Sequence, residues 1–197
     1  MPRRLVIGTR NRRKFAEIAA LLRGLDVDLV SLDAFPGQAA VPETGATFQE
    51  NAQAKALGYA RATGQWALAD DSGLEVDALG GEPGVRSSRW AGHDGNDHAN
   101  NRRLMEALAG KPQPWTARYR CAIAVATPER VLLTAEGSCE GRITDRPAGR
   151  GGFGYDPHFH LEERGCTMAE LPADEKNRLS HRARALQTIR ARLEKLL

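Results

Sequence analysis

Cysteine is scarce in this sequence, and its three copies are too dispersed to form a recognised metal-binding or redox motif. Cys121, Cys139 and Cys166 include no CxxC pair and no Cys/His spacing typical of a zinc site. An odd number of widely spaced cysteines also argues against the disulfide framework of a small secreted protein. These absences exclude a cysteine-based metal centre and a disulfide scaffold as the basis of the fold.

Long apolar segments are missing as well. No run of residues approaches the ~20 that a membrane-spanning helix needs, and residues 1–8 offer no apolar stretch long enough for a signal peptide. The net charge of +3 is too small to favour a nucleic acid or a membrane as a bulk partner. We therefore expect a cytoplasmic protein that binds neither nucleic acids nor membranes.

The remaining composition is that of an ordinary soluble globular protein, with 41% hydrophobic and 27% charged residues among 197. This length predicts a single domain over residues 1–197, with room for two lobes and a real core. Strand and helix patterns alternate along the chain without a regular βαβ series. The order of elements therefore indicates a mixed α/β fold.

Hydrophobic periodicity predicts the main elements. A short strand is expected at 5–7 and a helix around 15–22. Thr47 and Glu50 have the spacing of a capping box that opens a second helix, which ends at Gly64. A strand at 66–69 is expected to stop at Asp70. The other predictions are an extended piece at 74–79, a helix at about 99–108, a hairpin of strands at 119–125 and 131–133, and a C-terminal helix whose apolar stripe begins at Leu179.

A basic segment separates the first strand from the first helix, and it reads Thr9, Arg10, Asn11, Arg12, Arg13, Lys14. A helix N-terminus offers free N–H groups and a positive dipole end to phosphate, and Asn11 can cap the helix. The segment lacks the GxxxxGK pattern of a P-loop and the glycines of a Rossmann fingerprint. Taken alone it is more typical of an exposed basic turn, although cations crowded there favour a bound anion.

Two adjacent carboxylates, Asp70 and Asp71, follow the predicted strand at 66–69. The end of a strand is where α/β proteins place ligands, and successive residues on an extended chain point to opposite sides. One carboxylate can therefore serve a site while the other holds its surroundings. Mg²⁺ binds a few carboxylate oxygens and keeps substrate phosphates as other ligands. An Asx turn capped by Ser72 is the alternative interpretation.

Glu43 lies just before the second predicted helix and is a candidate second carboxylate for a metal. Asn51 and Lys55 lie one turn apart on that helix and share a face. Helix capping with solvated polar residues is the alternative that these residues favour when taken alone.

The richest polar segment lies between Gly149 and Arg182. Glycines around Phe153 and Tyr155 form a loop whose backbone can approach a flat ligand. Downstream cations supply donors for phosphates or for a base edge, namely Lys176, His181 and Arg182. His181 is predicted on the side opposite the apolar stripe, which argues against a core histidine. The alternative is a glycine-rich turn followed by a solvated basic helix start.

Jointly these clusters resemble the inosine triphosphate pyrophosphatase family, also described as dITP/XTP or non-standard purine NTP pyrophosphatases. The matching stretches run in the family's order over nearly the whole chain: Thr9 to Lys14, Glu43 to Ala56, Ala69 to Leu74, Pro83 to Val85, Gly151 to Pro157, Ala169 to Leu171 and Lys176 to Arg182. Small departures occur at Trp90 and His158, where relatives more often have tyrosine or phenylalanine and an aliphatic residue.

The resemblance implies hydrolysis of dITP, ITP or XTP to the monophosphate and pyrophosphate with Mg²⁺, which cleanses the nucleotide pool. It also implies a long mixed central β-sheet flanked by helices, two lobes with an active-site cleft between them, and a homodimer. By the same resemblance, Asp71 is the general base and a metal ligand, Glu43 is the second metal ligand, Asp70 supports them, and Lys55 is catalytic. The implied substrate-binding residues are Thr9, Arg10, Asn11, Arg12, Arg13, Lys14, Ser72, Phe153, Gly154, Tyr155, Asp156, Lys176, His181 and Arg182.

Physical chemistry agrees with these implied roles. Cleaving a triphosphate requires positioning and charge neutralisation more than covalent chemistry. The sequence contains no evident Ser-His-Asp or Cys-His set, so direct attack by water is the expected mechanism. Two alternatives stay open: a related pyrophosphatase acting on modified pyrimidines, and a non-enzymatic nucleic-acid-binding module that uses the arginine-rich start.

Overall fold

The computed structural model describes residues 2–196. Over that range its strands are β1 (Arg3–Ile7), β2 (Val27–Ser31), β3 (Trp66–Val76), β4 (Trp115–Ala126), β5 (Val131–Ile143), β6 (Phe159–Leu161) and β7 (Cys166–Thr167). The α-helices are α1 (Arg12–Leu21), α2 (Phe48–Thr63), α3 (Asp97–Leu108), α4 (Ala173–Leu179) and α5 (His181–Glu194). Within residues 2–196, no helix combines the length and the apolarity needed to cross a membrane.

The strands form one seven-stranded sheet in the order β2-β1-β3-β4-β5-β6-β7. Strand β1 runs parallel to both β2 and β3, whereas β6 runs antiparallel to β5 and β7. A sheet with both kinds of pairing and helices on its faces is a mixed α/β sheet. The predicted fold class is therefore confirmed.

The chain divides into two compact units. Unit 1 consists of Met1–Asp71, Cys121–Gly137 and His181–Leu197, and unit 2 consists of Ser72–Arg120 and Ser138–Ser180. Strands β3 and β4 contribute residues to both units, and so does β5. The single domain over 1–197 stays a prediction.

Unit 1 buries apolar side chains on both faces of its strands. Leu5 and Ile7 belong to a cluster that includes Ile18 of α1 and Ile189 of α5. Val6 belongs to a second cluster with residues of α2, such as Ala56. Successive side chains of a strand point to opposite faces, so a strand covered on both faces is apolar throughout. This explains why 5–7 could be recognised as a strand.

Unit 2 has its own apolar core. Its buried residues include Leu104 and Leu108 of α3, Trp115 of β4 and Phe159 of β6. The ring centroids of Tyr119 and Phe159 lie 4.5 Å apart within it. This core holds the second half of α3 against the strands.

Strand β3 corrects one prediction, because it does not stop at Asp70. It continues without interruption to Val76, so the expected break and the alternative Asx turn are both wrong. Asp70 and Asp71 are only 1% and 5% exposed. Buried charges persist in a strand when cations compensate them, and both carboxylates have such partners.

Helix α2 begins with half of the predicted capping box. Thr47 Oγ1 accepts a hydrogen bond from Glu50 N at 3.1 Å, as expected. The Glu50 carboxylate accepts from Ala46 N at 2.7 Å. The helix ends at Gly64, whose φ of 64° lies in the left-handed region that glycine adopts without strain.

Candidate active site

Asp70 and Asp71, at the centre of strand β3, bind different partners. All of these residues lie in unit 1. Asp70 Oδ2 lies 3.1 Å from Lys14 Nζ and accepts from Arg182 Nη2 at 3.0 Å. Asp71 instead accepts hydrogen bonds from Asn51 and Lys55 of α2. The predicted alternation of the two side chains follows from the extended backbone of β3.

The Asp71 carboxylate is held at both oxygens. Lys55 Nζ donates to Asp71 Oδ1 at 2.8 Å, and Asn51 Nδ2 donates to Asp71 Oδ2 at 3.1 Å. The same Lys55 ammonium donates to Glu43 Oε1 at 2.8 Å, and Asn51 Oδ1 accepts from Gly45 N at 2.8 Å. One face of α2 therefore ties the segment around Glu43 to Asp71.

Burial and charge shift the pKa values of this group. Burial raises the pKa of Asp71, and the neighbouring Lys55 and Lys14 oppose that shift without cancelling it. Burial alone would lower the pKa of Lys55, but Asp71 and Asp70 outweigh it and raise that pKa above its ordinary value. Lys55 therefore stays a cation near neutral pH and cannot accept a further proton. Of the two side chains, Asp71 is the one that can accept a proton.

Asp70 has the opposite character to its neighbour. Burial works against its ionisation, but the charges of Lys14 and Arg182 outweigh burial and hold its pKa well below the ordinary value. Two adjacent carboxylates whose pKa values move apart are suited to different roles. Asp70 stays an anion near neutral pH and holds cations, whereas Asp71 binds a proton more readily than an ordinary aspartate.

Arg182 is almost fully buried in unit 1, with 1% of its surface exposed. Its Nε and Nη2 donate to Asp70 Oδ2 at 3.2 and 3.0 Å, and its Nη1 donates to Glu17 Oε2. The guanidinium thus bridges β3 and α1 through two carboxylates. Its role as a substrate ligand stays a prediction.

His181 is buried as well, at 6% exposed, which corrects the expectation that it lies away from the core. Helix α5 begins at this residue, two residues later than the predicted stripe, because Ser180 is extended and separates it from α4. A Cβ placed on Gly137 would lie 2.3 Å from His181 O and 2.5 Å from Ala185 N. The bare backbone of β5 therefore lets the first turn of α5 pack closely enough to bury His181.

The basic segment Thr9 to Lys14, which runs into the first turn of α1, divides into two parts. Asn11 caps the helix, because its Oδ1 accepts from Arg13 N at 2.9 Å and from Lys14 N at 3.2 Å. Lys14 reaches Asp70, whereas Arg10 donates to the carbonyl of Gln38. A surface pocket of about 260 Å³ is lined by Thr9, Arg10, Arg12, Phe15, Ser31 and Asp33. The structure therefore does not bring all six residues of the segment to one point.

In unit 2, Asp156 organises the glycine-rich loop. The carboxylate is buried, and its Oδ2 accepts from Lys176 Nζ at 2.7 Å and from Phe153 N at 2.8 Å. Burial raises the pKa of Asp156, and Lys176 opposes the shift. Gly152 has a φ of 69°, and a Cβ there would lie 2.0 Å from Asp156 Oδ2. The close approach of Asp156 to the backbone therefore requires a glycine at 152.

The neighbours of Asp156 in the loop differ in exposure. Phe153 is half-buried, and its ring centroid lies 4.6 Å from Lys176 Nζ. Tyr155 is buried, and its hydroxyl donates to Ser87 O at 2.9 Å. Ser72 is half-buried within β3. Phe153 is therefore more exposed than Tyr155, and its role as a substrate contact stays a prediction.

Three further residues that were not predicted from the sequence contact residues of the candidate site. Glu17 binds Arg182 in unit 1, whereas Asp97 and Asn101 bind the backbone of Gly154 in unit 2. Asn96 and Asp97 have the composition of a helix start, so the true beginning of α3 was detectable. The partners of Glu17, Asp97 and Asn101 were not detectable, because these contacts join residues far apart in the sequence.

Within residues 2–196, no group of three or more His, Cys, Asp or Glu side chains is arranged to hold a metal ion. Glu43 and Asp71 both contact Lys55 Nζ, so two carboxylates converge on one cation. Mg²⁺ in nucleotide enzymes is bound by one or two carboxylates together with substrate phosphates. The oxygen donors present therefore fit a magnesium ion that arrives with a phosphate ligand.

Comparison with known proteins gives long and consistent matches. The chain is 51% identical over 191 residues to the dITP/XTP pyrophosphatase of Geobacter sulfurreducens, covering 96% of each sequence. It is 50% identical over 194 residues to the dITP/XTP pyrophosphatase of Geobacillus kaustophilus, covering 98% of this chain and 95% of that one.

Solved structures and a family model agree with the sequence matches. The structure of a HAM1 protein from Coxiella burnetii superimposes with a TM-score of 0.89 at 39% identity, covering 98% of this chain and 99% of that one. The dITP/XTP pyrophosphatase of Mycobacterium abscessus gives 0.76 at 43% identity, covering 94% and 98%. The sequence model of the Ham1 family matches residues 5–192. This chain therefore belongs to the Ham1 family.

Proposed function

We propose that this protein hydrolyses non-standard purine nucleoside triphosphates, namely dITP, ITP and XTP, to the monophosphate and pyrophosphate. The names of its relatives at about half identity support this substrate class. The observation that carries the proposal is the buried pair of Asp71 and Lys55, because it combines a proton-accepting carboxylate with a fixed positive charge. Removal of such nucleotides would cleanse the nucleotide pool.

Asp71 is proposed to accept a proton from the attacking water. A general base works best when its pKa is shifted toward the operating pH, and burial moves the pKa of Asp71 in that direction. The hydrogen bonds from Asn51 and Lys55 hold its carboxylate in one orientation. Fixed orientation avoids reorganisation during the reaction.

Lys55 and Lys14 are proposed to neutralise charge on the triphosphate. Each is bound to a carboxylate in unit 1, so each is held at a defined point without a substrate. The proposed phosphate contacts also include Thr9, Arg10, Asn11, Arg12 and Arg13. Positioned cations stabilise the charge that spreads over phosphoryl oxygens in the transition state.

Mg²⁺ is the proposed cofactor, with Glu43 and Asp71 as its protein ligands. When bound, the ion would supply charge neutralisation to the phosphates. The Lys55 ammonium donates to one oxygen of each carboxylate. A carboxylate oxygen can accept more than one partner, so the metal is proposed to bind the two carboxylates with Lys55 in place.

Unit 2 is proposed to contact the nucleoside through Phe153, whose half-exposed ring can stack on a purine. Gly154, Tyr155, Asp156 and Lys176 shape this loop, and Ser72 is a further proposed substrate contact. His181 and Arg182 are the proposed donors to the 6-keto group of hypoxanthine or xanthine. A homodimer in the cytoplasm is proposed on the family resemblance alone.

The test is a product assay with Mg²⁺ across ITP, XTP, GTP, ATP and dUTP. We expect pyrophosphate and monophosphate from ITP and XTP, and much slower turnover of ATP and dUTP. Nucleoside diphosphate and orthophosphate as first products would contradict the proposal. Preferential turnover of dUTP would instead assign the protein to a pyrimidine-directed relative.

A further inference from the structure

The first two turns of α3 hold the peptide groups on both sides of Gly154. We infer that Asp97 and Asn101 are positioning residues that fix the loop around Phe153 and thereby set the affinity for the purine ring. The inference rests on the proposed function, because it assumes that this loop binds the nucleoside. All the residues concerned lie in unit 2.

The grip consists of three hydrogen bonds of similar length. Gly154 N donates to Asp97 Oδ2 at 2.8 Å, and Asn101 Nδ2 donates to Gly154 O at 2.8 Å. Asn101 Nδ2 also donates to Asp97 O at 2.8 Å. Asp97 and Asn101 lie one turn apart on the same face of α3, so the helix presents an acceptor and a donor side by side.

The grip restricts the backbone at Phe153. Phe153 N is fixed by Asp156 Oδ2, and the next amide along the chain, Gly154 N, is fixed by Asp97 Oδ2. With the amides on both sides of its Cα anchored, Phe153 has little freedom in φ and ψ. Its Cα–Cβ bond therefore has one direction before any ligand arrives, and Lys176 Nζ lies 4.6 Å from the centroid of its ring. Having fewer backbone states reduces the entropy lost on binding.

Gly154 needs this external support. Its φ of 64° lies in the left-handed region, which glycine adopts readily but does not prefer over other conformations. A glycine without anchors would let the loop sample many states. A hydrogen bond to an ionised carboxylate is stronger than one between neutral groups, so Asp97 is an effective anchor.

Asp97 is not required to cap α3, because Asn96 already has that role. Asn96 Oδ1 accepts from Ala99 N at 3.0 Å. The Asp97 carboxylate is therefore available to the loop, although its charge also favours the helix N-terminus. Because Asn96 caps the helix and the adjacent Asp97 binds the loop, a substitution of Asn96 is a matched control for a substitution of Asp97.

The experiment compares Asp97→Ala, Asn101→Ala and the control Asn96→Ala in steady-state hydrolysis of ITP, each assayed well below its own Tm. Loss of the grip is expected to raise KM for ITP by ~10-fold with kcat within about threefold of wild type. Asn96→Ala should lower the Tm through loss of the cap but leave KM unchanged. A smaller folded fraction lowers the apparent kcat and cannot change KM, so a merely structural role gives a different result.

Asp97→Asn serves as a conservative variant that keeps an acceptor for Gly154 N and is measured even if Asp97→Ala fails to fold. Its KM should lie closer to wild type than that of Asn101→Ala. KM values for all grip variants within about twofold of wild type, or an equal rise in Asn96→Ala, would overturn the inference. Phe153→Ala is assayed in parallel. A KM of Phe153→Ala equal to that of wild type would overturn both the proposed binding of the nucleoside by this loop and the inferred grip. Failure of the proposed function has a different signature, because the wild-type protein would then not release pyrophosphate from ITP.

Discussion

Lys55 Nζ lies 2.8 Å from Asp71 Oδ1, and both side chains are more than nine-tenths buried. The pair joins α2 to β3, and the extended strand and the helical turn together determine its geometry. Removing either partner would leave an uncompensated charge in a poorly solvated site. Substitutions at these positions must therefore be assessed for stability and for activity separately.

Asp71→Asn is expected to lower kcat for ITP by roughly 10²–10⁴-fold, because an amide cannot accept the proton and is a poor Mg²⁺ ligand. The shape of the side chain is kept, so the protein should stay folded. Steady-state kinetics and the Tm together check this. Asp28→Asn, at an exposed aspartate of β2 in unit 1, is the matched control and should behave as wild type. A kcat for Asp71→Asn within about threefold of wild type, a cost under ~0.7 kcal/mol, would exclude Asp71 as the catalytic group.

Asp70→Asn is expected to reduce the free energy of unfolding by about 3–5 kcal/mol near neutral pH, because Arg182 and Lys14 lose their buried counter-charge. The pKa of Asp70 is lowered in the folded protein from an ordinary value of 3.8. A lowered pKa gives a stabilisation that is complete above the ordinary pKa and is lost as pH falls through the folded value.

The difference in unfolding free energy between wild type and Asp70→Asn should therefore shrink in acid. Urea unfolding of both proteins at about pH 7 and about pH 3 measures it. Asp71, whose pKa is raised, contributes with the opposite sign, since its stabilisation is lost as pH rises through the folded value. Asp71 is present in both proteins, so only the part of its contribution that depends on the charge of Asp70 remains in the difference. A difference that stays constant between the two pH values would show that the ion pairs of Asp70 do not stabilise the fold.

Removal of divalent metal with EDTA is expected to abolish hydrolysis of ITP, and added Mg²⁺ should restore it. Only carboxylates and substrate phosphates are proposed as ligands, so the ion should exchange freely. The Tm without nucleotide should change little on chelation, because Lys55 already compensates Glu43 and Asp71. Undiminished turnover after thorough chelation would contradict the proposed cofactor.

Arg182→Ala is expected to lower kcat/KM for ITP far more than for ATP. Hypoxanthine has a 6-keto acceptor for a guanidinium N–H, whereas adenine has an amino group there, so donor would face donor. Such a mismatch can produce selection of roughly 10²–10⁴-fold. The measured quantity is the ITP/ATP ratio of kcat/KM, with Arg192→Ala, an exposed position of the same helix, as control. An unchanged ratio would confine Arg182 to its ion pairs with Asp70 and Glu17.

Much of the fold was predictable because local patterns carry it. The apolar run at 5–7, the helix start at Thr47 and the glycine at 64 each act within a few residues, and each lies where expected. The contact of Asn51 and Lys55 with one carboxylate also follows from helical spacing. These features depend on backbone geometry that neighbouring residues determine.

The errors have the opposite origin. In the sequence, Asp70 and Asp71 have the composition of a strand end. The counter-charge that allows Asp70 to be buried within the strand comes from Arg182, 112 positions away. His181 was predicted to be exposed, but it is buried because Gly137 has no side chain and α5 can pack closely against it. The grip of Asp97 on Gly154 joins residues 57 positions apart. Partners separated by such lengths of chain leave no periodic signal in the sequence.

Gly137 also has a consequence for how the sequence can vary. Its missing side chain leaves room for the carbonyl of His181 and the amide of Ala185, and the next residue after His181 is the arginine bound to Asp70. Any methyl group at 137 would push the helix start outward and stretch that ion pair. A residue with a Cβ at position 137 is therefore expected to disturb the ion pair of Arg182 with Asp70, although glycine itself has no chemical group that could react with a nucleotide.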